Sequence, residues 1–225
     1  MSPPDLAAAG CPERPLRRDA ERNRRRILEA AGEVFAERGL GVTMDDIADR
    51  ADVGVGTVYR RFPDKELLIE ALFEARIEEL VSLAQEALAE ADPWEALVGF
   101  LERAQASHAS NRGLKELMLS TGHGRDRVAC VRERMAPLAD ALVQRAQASG
   151  QLRPDVEGTD LPLIQVMLGG IVDFTRDVDP DTWRRLLAII VDGLRARDDT
   201  TPLTAPALEP GQIDRAMRGW KPLRC

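Results

Sequence analysis

Between Val55 and Lys65 the chain reads Val-Gly-Thr-Val-Tyr-Arg-Arg-Phe-Pro-Asp-Lys. Tyr59, Arg60 and Arg61 put a phenol and two guanidiniums in a row, a donor set suited to phosphate oxygens. Gly56 and Thr57 are small, so with Val55 they let a backbone come close to the edges of DNA bases. Lys65 sits at the start of the following helix, where its ammonium and the helix N-terminus can meet one phosphate. Thr43, which opens the preceding helix, is a further phosphate anchor. The chemistry these residues offer is non-covalent recognition of a polyanion.

Covalent chemistry finds little support. Cys130, His108 and an aspartate can be combined on paper, but no local motif accompanies them. No phosphate loop, H-E-x-x-H or dinucleotide fingerprint is present. The three cysteines, Cys11, Cys130 and Cys225, are widely spaced and odd in number, which favours neither a disulfide framework nor a zinc site. No catalytic residue, metal or cofactor is expected, and a reducing cytoplasm is the simplest compartment.

The recognition residues need a scaffold, and the flanking sequence supplies one. Thr43 with Asp46 three residues on has capping-box spacing. Met44, Ile47, Ala48 and Ala51 then follow at helical intervals and form a buried face. Asp52-Val53-Gly54 breaks the period: Asp tolerates turn geometry, Gly carries no steric penalty, and Val53 can plug the angle between two helices. A second helix runs from about Val55 to Phe62 with Val58 and Phe62 inward, leaving Thr57, Tyr59, Arg60 and Arg61 outward. Pro63 stops it. Two short helices at an angle, the second presenting small and cationic residues, are what a helix-turn-helix DNA reader requires.

This stretch resembles the DNA-binding domain of the TetR (tetracycline repressor) family of bacterial regulators. The matching residues are Ile47-Ala48 and Ala51-x-Val53, then Gly56-Thr57-Val58-Tyr59-x-x-Phe62-x-x-Lys65-x-x-Leu68. The helix before them, with Ile27, Ala31, Phe35 and Gly39-Leu40, also fits. Detailed similarity covers about 22–72. Asp52 stands where the family usually has a turn glycine, and Gly54 where a Ser or Thr usually caps the recognition helix; both replacements suit their positions. The resemblance implies a dimeric regulator, most often a repressor, with an effector pocket in the helical remainder.

Composition agrees with a helical protein. Of 225 residues, 44% are hydrophobic and only 4% aromatic. The net charge of −7 argues against uniform coating of nucleic acid, but a local field is set by local charges. Seven arginines, Arg14, Arg17, Arg18, Arg22, Arg24, Arg25 and Arg26, crowd the N-terminal end and are read as backbone or minor-groove contacts. No apolar run reaches transmembrane length, and no signal-peptide core is evident.

The expected fold is all-α. Residues 1–18 read as a disordered basic arm, 19–63 as the helix-turn-helix domain, 64–197 as a helical effector-binding and dimerisation domain, and 198–225 as linker and tail. A long helix from Asp64 to about residue 90 joins the two domains and is the candidate carrier of a signal. A short helix is expected from Asn111 and a kink near Pro137. The helices over about 159–175 and 181–197 carry more apolar surface than one core needs. They are read as a homodimer interface, doubled into a four-helix bundle by a two-fold axis. Candidate effector-pocket residues are Trp94, Phe100, His108, Leu117, Met118, Met135, Met167 and Phe174. A mostly apolar lining implies an apolar or amphipathic small molecule. The function expected is therefore a ligand-responsive transcriptional regulator that binds a palindromic operator. Its alternatives are an effector-free regulator of the same fold and a helical dimeric scaffold without DNA binding.

Overall fold

The computed structural model describes residues 13–109 and 124–219. The described residues form helices α1 (Glu13–Arg38), α2 (Met44–Ala51), α3 (Val55–Arg61), α4 (Lys65–Ala89), α5 (Pro93–Ala109), α6 (Gly124–Ala148), α7 (Asp160–Thr175), α8 (Thr182–Leu194) and α9 (Pro210–Gly219), with a short 3-10 turn at Gly39–Gly41. Among them there is no strand, only an isolated bridge between Leu152 and Arg195. The chain is all-α, as its periodicity implies. The short helix expected from Asn111, with Leu117 and Met118, lies outside the described residues.

Helix α1 starts earlier than the sequence reading places it, at Glu13 instead of Asp19. Pro15 in its first turn is compatible with this, because a first helical turn tolerates a missing N–H. The helix ends where Gly39 takes a left-handed φ of 69°, a conformation glycine reaches without steric penalty.

Two cores follow from the apolar periodicity. The head core joins Ile27, Val34 and Phe35 of α1 to Ile47 and Ala48 of α2, Val58 of α3, and Leu68, Ile69 and Leu72 of α4. The body core joins Ala84 and Ala87 of α4 to Trp94, Leu97 and Leu101 of α5, Leu142 and Val143 of α6, Leu161 and Leu168 of α7, and Trp183 and Leu187 of α8. Helix α4 is thus shared: its first turns belong to the head and its last to the body, along a rod about 37 Å long at 1.5 Å per residue. Its middle is tied to the body by ion pairs. Arg134 of α6 reaches Glu74 and Glu78 at 2.8 Å each. Arg76 pairs with Glu79 and donates to the Ser107 carbonyl of α5 at 2.6 Å. Burial lowers the Arg76 pKa, opposed by the charge of Glu79.

Helix α6 runs through Pro137. Beyond α8 the chain is strapped to the body. Arg153, nearly buried, pairs with Asp155 at 2.6 Å and donates to the Thr201 carbonyl at 2.6 Å. Asp155 in turn accepts from Leu203 N–H at 2.9 Å. The Arg153 guanidinium holds the Asp155 carboxyl well below the usual carboxylate range. Helix α9 then packs on α6 through the buried Ile213.

Candidate nucleic-acid interface

The head is held by local rules legible in its residues. The Thr43 hydroxyl accepts from Asp46 N–H at 3.2 Å, while the Asp46 carboxylate accepts from Thr43 N–H at 2.8 Å and from its hydroxyl at 2.6 Å. This is a reciprocal capping box. Those bonds, with Arg38 at 3.1 Å, lower the Asp46 pKa. Arg50 bridges Glu33 and Glu37 of α1 at 2.9 and 2.6 Å and lowers the Glu37 pKa. A shallow surface groove of about 360 Å³ lies between these charges, lined by Val34, Arg38, Asp46, Asp49 and Arg50. Its walls are charged, unlike the apolar lining expected for an effector.

The turn takes the form its residues allow. Asp52 adopts φ 50° and ψ 51°, the left-handed region, and its N–H closes on Ala48 and Asp49 carbonyls. Arg26 of α1 completes it, donating to the carbonyl of Ala51 at 2.7 Å and of Asp52 at 3.1 Å, and to the Asp52 carboxylate at 3.1 Å. A cation over the last carbonyls of a helix suits its negative pole. Arg26, assigned from the sequence to a phosphate-contacting cluster, is therefore a clamp within the head. In the same cluster Arg22 pairs with Asp19 at 2.7 Å. Side chains before Asp19 lie outside the described residues.

Helix α3 is short and two-faced. Val58 is fully buried and Phe62, its C-cap, nearly so. Outward stand Val55, 43% exposed, and Tyr59, 48% exposed, with Arg60 and Arg61 exposed beside them. A side chain added at Gly56 would meet no atom within 4 Å, so that position is open to an approaching surface. Thr57 is half-buried, and Arg60 donates to its hydroxyl at 3.2 Å. Arg61 has only a loose pairing with Glu21 at 3.8 Å. Val55, Gly56, Thr57, Tyr59, Arg60 and Arg61 are thus brought onto one accessible helix.

Two expected anchors also make contacts within the head. The Lys65 ammonium turns inward, donating to the Val42 carbonyl at 2.7 Å and standing 5.7 Å from the centre of the Phe35 ring. Burial lowers its pKa, opposed by the charge of Asp46. The Thr43 hydroxyl belongs to the capping box. Both residues set the angle of α2 and α4 against α1.

The expected effector residues do not converge. Trp94 and Phe100 are packed in the body core, and Met135 lies partly buried against it. The Arg195 guanidinium covers the Trp94 ring at 4.2 Å. Met167, 52% exposed, and Phe174, 86% exposed, lie on a flank of α7, about 100° around its axis from the face of the buried Leu161, Ile164 and Leu168. They do not line the interior of this chain. His108 falls on α5, but its side chain, like Met118, is outside the described residues. Sequence reasoning missed two amides that do face inward, Gln105 and Gln165. The available signal was position: Gln105 stands four residues after Leu101 on the apolar face of α5, and Gln165 sits between Ile164 and Val166.

A three-helix head presenting a small-residue, cationic helix, joined by a shared helix to an all-helical body, defines a helix-turn-helix DNA-binding protein. Residues 27–72 match the family model described as bacterial regulatory proteins, tetR family. Residues 92–196 match the C-terminal domain of SbtR-like transcriptional regulators. The HTH-type transcriptional repressor KstR of Mycobacterium tuberculosis is 37% identical over 152 residues, covering 64% of this chain and 67% of the relative. A TetR regulatory protein from Mycobacterium vanbaalenii superposes with a TM-score of 0.65 at 36% identity, over 81% of this chain and 100% of that one. The regulator SCO0520 of Streptomyces coelicolor superposes with a TM-score of 0.61 at 32% identity, over 77% and 98% of the two chains. The chain belongs to the TetR family and is a DNA-binding transcriptional regulator. Among the described residues, no helix is long and apolar enough to cross a membrane.

Proposed function

We propose that this chain is a homodimeric, effector-responsive repressor that acts in the cytoplasm by binding, without catalysis. The observation that carries the reading is the outward row of α3, fixed by Val58 and Phe62 beneath it. In this reading Val55, Gly56 and Thr57 approach base edges, and Tyr59, Arg60 and Arg61 hold phosphates. Thr43 and Lys65 contribute by setting the helix angles. The Mycobacterium tuberculosis relative is named a repressor, which supports that sign of regulation.

The dimer in this reading is built on α7 and α8. Val166, Met167 and Phe174 on α7 and Ile189 on α8 are exposed apolar side chains, and Gly170 beside them is exposed. Pairing these faces about a two-fold axis buries them and gives two α3 helices for half-sites about 34 Å apart. The effector, an apolar or amphipathic small molecule, is held in the body among α5, α6 and α7. It acts through α4 by favouring a head spacing that mismatches the operator, which requires different ligand affinity in the two states.

The test is a salt titration of DNA binding on a duplex selected from genomic fragments. Wild-type affinity falls steeply with salt. Arg60→Ala removes one phosphate contact per protomer and flattens the log–log slope by about 1.8, at roughly 0.9 per phosphate. Unchanged binding by both Arg60→Ala and Tyr59→Phe would favour the scaffold reading instead.

A further inference from the structure

The body core contains an amide that its surroundings do not satisfy. Gln105 is fully buried, and neither its Oε1 nor its Nε2 has a hydrogen-bond partner among the described residues. On the facing helix, Gln165 donates its Nε2 to the Leu101 carbonyl at 3.0 Å, while its own Oε1 is buried and unmatched. Leu101 and Gln105 are one turn apart on α5, so the carbonyl that Gln165 meets belongs to the turn of α5 that leads to Gln105. Buried polar atoms are seldom left unpaired, because each one destabilises the folded chain. Leucine at position 105 would match the neighbouring Leu101 and Ala104 without that burden.

We propose that Gln105 and Gln165 are the polar anchor of the effector site, receiving the uncharged head of an otherwise apolar molecule. This rests on the effector reading given above and narrows its ligand. The unmatched atoms are two carbonyl oxygens and one NH2 group. Their complement is a head with two N–H donors and one acceptor, so a primary amide matches in full and a hydroxyl in part. A carboxylate offers acceptors only. Charge points the same way. Among the described residues the buried cations are already paired, Arg153 with Asp155 and the largely buried Arg76 with Glu79. An ionic head would lose its hydration without meeting an opposite charge. The apolar part of the molecule would lie against side chains of the surrounding core, such as Leu101, Ile164 and Leu168.

The experiment titrates the full chain with three probes of one chain length: octanamide, 1-octanol and sodium octanoate. Binding is read by calorimetry, and release of a selected DNA duplex is read in parallel. Octanamide is expected to bind tightest and octanoate weakest, at least about tenfold apart. Gln105→Leu weakens octanamide at least about tenfold and removes the ranking, yet the unliganded variant melts no lower than wild type, because an unmet amide has gone. Gln165→Met, which loses one acceptor, narrows the amide advantage and gives a second route to the same result. Equal binding of the three probes, no binding of any, or a ranking that survives both substitutions would overturn the proposal. So would a lower melting temperature of unliganded Gln105→Leu, which would make the glutamine a structural residue. Octanamide binding through Gln105 without DNA release would leave this site standing and remove the effector reading. Release of DNA by a probe indifferent to both glutamines would do the reverse.

Discussion

Replacing Lys65 with methionine is expected to loosen the head while leaving its count of phosphate contacts unchanged. The methionine keeps most of the aliphatic stem and removes the ammonium. That ammonium donates to the Val42 carbonyl at 2.7 Å, across 23 residues of sequence. A hydrogen bond from a charged donor is worth about 1.5–3 kcal/mol, and partial exposure brings this one to about 1–2 kcal/mol. The contact with the Phe35 ring at 5.7 Å adds about 0.5 kcal/mol. The loss is then about 1.5–2.5 kcal/mol, or roughly 3–10 °C in melting temperature for a chain of this size. Two assays separate the roles: a thermal melt at fixed protein concentration, and DNA binding across a salt series. The melt should fall and the log–log salt slope should hold. A phosphate contact in each protomer would instead flatten that slope by about 1.8. An unchanged melt with a slope flattened by that amount would refute the inward assignment of Lys65.

Three further outcomes follow from the same head and from the exposed face of the body. Thr43→Ala removes the capping box and is expected to lower stability by about 1 kcal/mol at neutral pH. Because the Asp46 pKa is lowered in the fold, first by the Thr43 hydroxyl, its contribution is present above the unfolded value of about 3.9 and fades as pH falls below it. Urea midpoints of wild type and variant, measured from pH 7 down to pH 3, should therefore draw closer in acid, leaving the part due to the Thr43 hydroxyl and Asp46 N–H. Asp52→Gly relieves the left-handed backbone at φ 50° and is expected to hold or raise stability, whereas Asp52→Val should lose about 1–2 kcal/mol, both read by chemical denaturation. Ile189→Glu combined with Phe174→Glu places charge on the exposed apolar face of α7 and α8. Sedimentation should show monomer, with weakened binding to a two-half-site duplex but little change on a single half-site.

What the sequence disclosed was whatever depends on neighbours in the chain. The Thr43–Asp46 cap, the Asp52 turn, the inward Val58 and Phe62 and the stop at Pro63 all rest on spacings of a few residues, so residue type and period were enough. The contact Lys65 makes inside the head is not legible in the sequence, because its acceptor is a backbone carbonyl 23 residues earlier, which no spacing reveals. The clamp made by Arg26 is hidden for the same reason, since its partners at Ala51 and Asp52 are brought to it by the crossing of α1 and α2. Met167 and Phe174 were read as pocket residues from their type. That the flank of α7 they occupy stays uncovered emerges only when α7 is set against the rest of the body. Gln105 was passed over because Glu102 and Arg103 beside it make that turn of α5 look solvated.

The pattern of ties on α4 bears on how a ligand in the body can reach the head. Leu68, Ile69 and Leu72 are locked into the head core, and Ala84 and Ala87 into the body core. Between them, Arg76 fastens α4 to Ser107 on α5, and Arg134 on α6 fastens it at Glu74 and Glu78. Ser107 lies two residues beyond Gln105, nearly on the opposite side of α5 at 100° per residue. A ligand that draws Gln105 toward α7 therefore rotates or slides the same turn of α5 that grips Arg76. The motion enters α4 at its middle, where both cores can act as pivots. Releasing DNA a hundredfold needs about 2.8 kcal/mol of differential ligand affinity, within reach of a few hydrogen bonds made in one state only. If α4 is the route, Arg76→Met should leave DNA affinity of the unliganded dimer nearly unchanged and reduce the ligand's effect on it. Release undiminished in that variant would mean the coupling runs through another contact.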